Sequence, residues 1–227
     1  MPRVGIYSSK QANAPHLEQV LMRFGFRVST LGNSDLAILS ITDFDALYLP
    51  GGWYQFDAPI VERIQGFVRE GGGCVGSCCG SILVAGQLAL IRARVLNCNI
   101  RGRIYLEPQQ GEHDILKAVV QPCKRHDKRR WEPIAVTHLG GPLIVAEERD
   151  DIIASYDTSG EVGAIVAASY GAGRAVAIAS HPELKLANVP DADYDALKNQ
   201  PLPQGDTQLL IRNATLWATG NEVPEEF

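Results

Sequence analysis

The chain has 227 residues, 45% of them hydrophobic, a formal net charge of -5 and a sequence pI of about 5.5. This is enough apolar material for one sizeable core, so residues 1–227 are expected to form a single domain, and the acidic balance argues against nucleic acid or an anionic membrane surface as partner. Residues 1–8 show neither a long apolar run nor a cleavage site, and no segment holds roughly 18 uninterrupted apolar residues, so the expectation is a cytoplasmic protein with no membrane contact.

In chain order, residues 3–8 read as a short strand, and residues 15–24 as a helix with Leu17, Val20, Leu21 and Phe24 at helical spacing and Pro15 in its first turn. Residues 27–31 and 45–50 read as strands, the latter ending in the turn Pro50-Gly51-Gly52. The amphipathic stretch 60–69 presents Ile60, Ile64 and Phe67 on one face and stops at Gly71–Gly73. A buried strand over 74–77 and a helix over 81–90 follow. From 92 to 138 the pattern is irregular, which predicts an insert serving as a pocket lid; its basic tract 124–130 (KRHDKRR) reads as a solvated loop. Short strands are expected over 143–147, 152–156, 164–169 and 175–180, then a polar excursion with Pro190, Pro201 and Pro203, then a helix over 207–219. Strands alternating with helices of this length predict an α/β fold: a doubly wound, mostly parallel sheet covered on both faces, flavodoxin-like in organisation.

The five cysteines, Cys74, Cys78, Cys79, Cys98 and Cys123, are odd in number and lack a repeated spacing, which argues against a secreted disulfide framework. Cys78 and Cys79 are adjacent, and neither a C-x2-C nor a His-x3-His pair accompanies them, so no metal site and no cofactor are expected.

Three motifs carry chemistry. Gly73-Cys74-Val75-Gly76-Ser77-Cys78-Cys79-Gly80-Ser81 places a cysteine at a strand-to-helix turn with glycines two before and two after it, the pattern of a nucleophile elbow. Backbone N–H groups and the following helix are expected to favour a thiolate there; the competing reading is a glycine-rich turn with buried thiols. Next, residues 171–183 end a buried strand in His181-Pro182-Glu183. A histidine at that place can take a thiol proton, and a carboxylate two residues on can orient the ring. Finally, Leu49-Pro50-Gly51-Gly52-Trp53 ends another strand in a glycine turn, from which the Gly52 N–H, together with that of Cys79, can face an oxyanion. Gly51, Trp53 and Tyr54 are then expected to line the substrate pocket.

PGG, then G-x-C-x-G, then HPE is an order that resembles the class I glutamine amidotransferase-like superfamily. Within it the chain looks most like the small proteins related to the N-terminal domain of some biotin-protein ligases, with YGAGRAVAIASHPE, EPQQGEHDIL and THLGGPLI as supporting segments. The resemblance implies a triad of Cys78 as nucleophile, His181 as base and acid, and Glu183 as orienting residue. It also implies oxyanion N–H groups from Gly52 and Cys79. Glutamine amidotransferases carry glutamine four residues after the nucleophile, where this chain has Ile82, so glutamine is not implied as substrate. The branch with a glutamate near the end of the first strand is also disfavoured, since Ser8, Ser9, Lys10 and Gln11 stand there. The expected function is a cysteine-dependent hydrolase or amidotransferase-like enzyme acting on an amide, ester or related carbon of a small molecule, with a homodimer as default assembly. A non-catalytic binding or regulatory module, or a redox sensor using Cys78 and Cys79, are the rivals.

Overall fold

The computed structural model describes residues 1–10, 12, 14–40, 42–123, 131–184 and 206–225. Strand β1 (Arg3–Tyr7), helix α1 (Ala14–Arg23), strand β2 (Arg27–Leu31), helix α2 (Asn33–Leu36), strand β3 (Ala46–Leu49), helix α3 (Ala58–Arg69) and strand β4 (Gly73–Ser77) build the first half. The α4 turn (Cys79–Ile82) runs into a π-helical turn (Leu83–Gln87). Strands β5 (Ala93–Leu96), β6 (Arg101–Pro108), β7 (Ile134–Leu139), β8 (Leu143–Ala146), β9 (Ile152–Ser155), β10 (Gly163–Tyr170) and β11 (Gly173–Ile178) follow, and helix α5 (Gln208–Ala218) comes last.

The sheet order is β2-β1-β3-β4-β11-β10-β9-β6-β7, with β8 on β10 and β5 on β8. From β2 to β11 every pairing is parallel, giving the expected doubly wound α/β core; beyond β11 the sheet continues antiparallel. Alternation along the central strands sends Val4, Ile6, Val75, Val176 and Ile178 to one face, under Leu17 and Leu21 of α1 and Leu210 and Ala214 of α5. Leu47, Leu49, Cys74, Ala175 and Ala177 go to the other, under Ile60, Ile64 and Phe67 of α3. Burial on both faces explains why these strands read as continuous apolar runs rather than alternating ones. Helix α3 starts where it does because the Asp57 side chain accepts from the Ile60 N–H and proline occupies the first turn.

Two expectations are corrected. The described residues of 92–138 are not irregular: β5, β6, most of β7 and a short 3-10 turn (Asp114–Leu116) lie among them, and β6 and β7 extend the sheet itself. Their pattern escapes a periodicity reading because each strand pairs far along the chain, β6 with β7 and β9 and β5 with β8. The helix expected over 81–90 is instead one α turn followed by the π turn, and Ala89 at φ 46° closes it. The basic tract 124–130 and the excursion holding Pro190, Pro201 and Pro203 lie outside the described residues. Among the described residues no helix is long and apolar enough to cross a membrane.

Candidate functional site

The parallel strands deliver three loops to one end of the sheet. Cys78 follows β4 directly and adopts φ 49°, ψ -118°, a backbone conformation that costs a non-glycine residue energy and marks the elbow as strained. Its N–H donates to Ile178 O at 2.8 Å, and its carbonyl accepts from the Ser81 N–H at 3.0 Å and from the Ser81 hydroxyl. The flanking glycines are sterically required. A Cβ on Gly80 would stand 1.9 Å from the Leu49 carbonyl oxygen, and one on Gly76 would stand 2.4 Å from the Gly80 oxygen. The elbow therefore nests against the end of β3, which is the strand that carries the Pro50-Gly51-Gly52 turn.

His181 and Glu183 follow β11, the parallel neighbour of β4. Their side chains are buried, and His181 Nδ1 lies 2.6 Å from Glu183 Oε1. The His181 N–H donates to Thr137 O at 2.7 Å, so β7 also anchors the histidine. Gly51 locates the three groups relative to one another. A Cβ placed on it would be 3.2 Å from Cys78 Cβ, 2.6 Å from His181 Cε1 and 3.4 Å from His181 Nε2, so the thiol-bearing carbon and the free ring nitrogen flank the same glycine. Only a residue without a side chain lets them share that space.

The two thiols form a pair. Cys78 is 3% exposed, Cys79 is partly exposed, and the sulfurs are 4.0 Å apart with Cys78 as donor. That contact, with burial and the charges of Cys79 and Glu183, pushes the Cys78 thiol up, although the Cys79 N–H opposes it. The same contact, with the Gly52 N–H and His181 acting against partial burial, pulls Cys79 down to about 6. Against the expectation of a thiolate favoured on Cys78 by its elbow, the contact between the two sulfurs favours the neutral thiol on Cys78 and the thiolate on Cys79. The Gly52 N–H, expected to face an oxyanion, also lies close enough to favour the Cys79 thiolate.

Of the remaining expected residues, Trp53 is 75% exposed at the rim, while Tyr54 is half-buried. Tyr54 donates to Pro50 O at 2.7 Å and packs with Tyr7 (4.7 Å between centroids) and Phe56 (5.7 Å), bracing the glycine turn from behind. Sequence reading missed the second wall of the site. The β7 residue His138 is buried, with Nδ1 2.8 Å from Ile100 O and Nε2 2.8 Å from the Tyr156 hydroxyl, and burial pushes its pKa down. Gly141, at the end of the same strand's loop, lies close enough that a Cβ there would be 3.6 Å from Cys78 Cα. The segment THLGGPLI held that signal, since a glycine pair after a strand marks a close backbone approach. Among the described residues no group of three or more His, Cys, Asp or Glu side chains is placed to hold a metal ion.

A strained cysteine elbow between parallel strands, facing a buried His-Glu pair on the neighbouring strand, sets the chain among α/β proteins with the glutamine amidotransferase-like fold. Solved structures carry that assignment. PurLQS from Thermotoga maritima superimposes with a TM-score of 0.63 at 16% identity, covering 95% of this chain and 97% of that one. A glutamine amidotransferase, also from Thermotoga maritima, gives 0.55 at 14% identity over 81% and 76% of the two chains. A ThuA-like protein from Parabacteroides merdae gives 0.61 at 14% identity over 99% and 92%. No family model matches the sequence, and no curated protein matches it.

Proposed function

We propose that the chain is a cysteine-dependent hydrolase or amidotransferase-like enzyme that uses Cys78, His181 and Glu183 on an amide, ester or related carbon of a small molecule. The observation that supports this most is the convergence on Gly51: a nucleophile on a strained elbow and the free nitrogen of a buried, carboxylate-oriented imidazole flank one side-chain-free position. Cys78 Sγ attacks the carbonyl carbon, and its proton passes to His181 Nε2 as the S–C bond forms. Glu183 stabilises the resulting imidazolium through Nδ1. The carbonyl oxygen becomes anionic and takes the place at the Gly52 N–H now held by the Cys79 sulfur. Collapse restores the carbonyl and expels an amine or alcohol, which takes the proton from His181 and leaves a thioester. Water then attacks the thioester while His181 accepts its proton, the carboxylic acid departs, and the Cys78 sulfur is reprotonated.

Trp53, exposed at the rim, and Gly51 line the approach to the thiol. Kinship with the proteins related to the N-terminal domain of some biotin-protein ligases, a cytoplasmic location and a homodimeric assembly belong to the same reading. The test is a screen of amide, ester and nitrile substrates against the wild type, Cys78→Ala and His181→Ala. Turnover that disappears in both variants supports the reading, and turnover that survives Cys78→Ala overturns it.

One observation favours a second reading. Two sulfurs 4.0 Å apart, one pulled down to about 6, suit a thiol switch in which a peroxide oxidises Cys79 to a sulfenic acid and Cys78 condenses with it, releasing water. Loss of both free thiols on peroxide treatment, restored by a dithiol reductant, supports that alternative.

A further inference from the structure

Four buried polar atoms behind the triad lack hydrogen-bond partners among the described residues: Tyr48 Oη, Ser77 Oγ, Ser180 Oγ and Glu183 Oε2. Their residues are all at least nine-tenths buried, with Tyr48 fully inaccessible. Orphaned buried hydroxyls and carboxylate oxygens are rare in folded proteins, and one beside a catalytic group calls for an account.

The strand register explains why these atoms gather. Tyr48 pairs with Val75, Val75 with Val176, and Ser77 with Ile178 across the parallel strands β3, β4 and β11. Tyr48, Val75, Val176 and Ile178 share the face covered by α1 and α5. Ser77, two residues beyond Val75 and the last residue of β4, therefore lies on that face too, and Ser180 follows the end of β11 by two residues, equally buried. Tyr48 lies near enough to both Ser77 and Glu183 to sense them, and burial, reinforced by the Glu183 charge and opposed by Ser77, pushes its phenol up. It stays a neutral donor. Tyr48 and Ser77 are thus close enough to interact with each other and Tyr48 with Glu183, while Glu183 Oε2 and the nearby Ser180 hydroxyl keep no partner within hydrogen-bond geometry among the described residues. That composition suits a small neutral molecule able to accept and donate at once.

We propose that Tyr48, Ser77 and Ser180 form a hydroxyl cradle binding an internal water against Glu183 Oε2. This water holds the carboxylate in the orientation from which Oε1 accepts from His181 Nδ1. Tyr48 and Ser77 are positioning residues: they act on the reaction through Glu183 and never meet the substrate. The catalytic meaning of the cradle rests on the triad reading above, but its existence does not.

The proton on His181 Nδ1 gives a readout independent of turnover. In proton NMR of the wild type, a low-field resonance that disappears in Glu183→Gln identifies the His181–Glu183 hydrogen bond. Tyr48→Phe keeps the ring and deletes only the hydroxyl; the expected result is an upfield shift of this resonance, and Ser77→Ala is expected to shift it in the same direction. A high-resolution crystal structure is expected to place a water within hydrogen-bond distance of Glu183 Oε2 and the Tyr48 hydroxyl. An unmoved resonance in both variants, or a direct protein partner on Oε2 in that structure, overturns the cradle and leaves the triad intact. A wild type without the low-field resonance overturns the triad reading, and the water at Glu183 Oε2 in the crystal structure then decides the cradle alone. Cys78-independent turnover with the resonance shifts present overturns the enzymatic reading alone.

Discussion

The shared proton of the thiol pair makes a sharp prediction for alkylation. With Cys79 at about 6 rather than its ordinary 9.0, about half of it is thiolate at pH 6, against about 0.1% for an ordinary cysteine, a ratio of about 500. A more acidic thiolate is also a weaker nucleophile. With a Brønsted slope of about 0.4–0.5, three units cost about 20-fold, so Cys79 should react about 25-fold faster than an ordinary accessible thiol at pH 6 and only about 4-fold faster at pH 7. Exposure points the same way, since Cys78 is 3% exposed and Cys79 more open. The assay is iodoacetamide labelling from pH 5 to 10, with the site read by peptide mass spectrometry. The wild-type profile is expected to rise with a midpoint near pH 6 and to label Cys79. In Cys79→Ala, Cys78 loses the partner that holds its proton, and labelling should move to Cys78 with a different midpoint. A wild-type midpoint near 9, with both cysteines labelled equally, would refute the shared proton.

The same pair predicts a stability profile. Cys79, lowered in the folded state, adds stability that is complete above pH 9.0 and is lost as pH falls through about 6; Cys78, raised in the folded state, adds stability that is complete below 9.0 and is lost at higher pH. Urea denaturation midpoints should therefore rise from pH 6 towards 9 and fall beyond it, and Cys79→Ala should flatten the rise. Gly80→Ala forces a Cβ to 1.9 Å from the backbone oxygen of Leu49, which cannot rotate away. An overpacking cost of at least ~1–3 kcal/mol is expected, read as a Tm lower by several degrees. Gly51→Ala collides with the His181 ring at 2.6 Å instead. It should abolish any Cys78-dependent turnover at a smaller cost in Tm than Gly80→Ala, because a side-chain ring can give way where a backbone oxygen cannot, whereas equal loss of stability in the two glycine variants would contradict this division.

The alternation of strands and helices, the elbow, the Pro-Gly-Gly turn and the His-Pro-Glu ending were all legible in the sequence, because each depends on neighbours within a few residues. A glycine two places either side of Cys78 is a local steric demand, and a carboxylate two residues after a histidine can meet its ring without help from the rest of the chain. The assembly of these pieces depends on register between strands distant in sequence. That Gly51 separates Cys78 from His181, that β7 pins His181 through Thr137, and that Tyr48 and Ser77 fall on one buried face follow from pairings between β3, β4, β7 and β11. The state of the thiols belongs to the same class. Sequence reading favours an anion on Cys78, because of the elbow; only the tertiary structure brings the Cys79 sulfur, the Gly52 N–H and His181 into an arrangement that favours the thiolate on Cys79 instead. Backbone turns are decided by short-range sterics, whereas proton positions are decided by every charge and donor that the fold brings within a few ångströms.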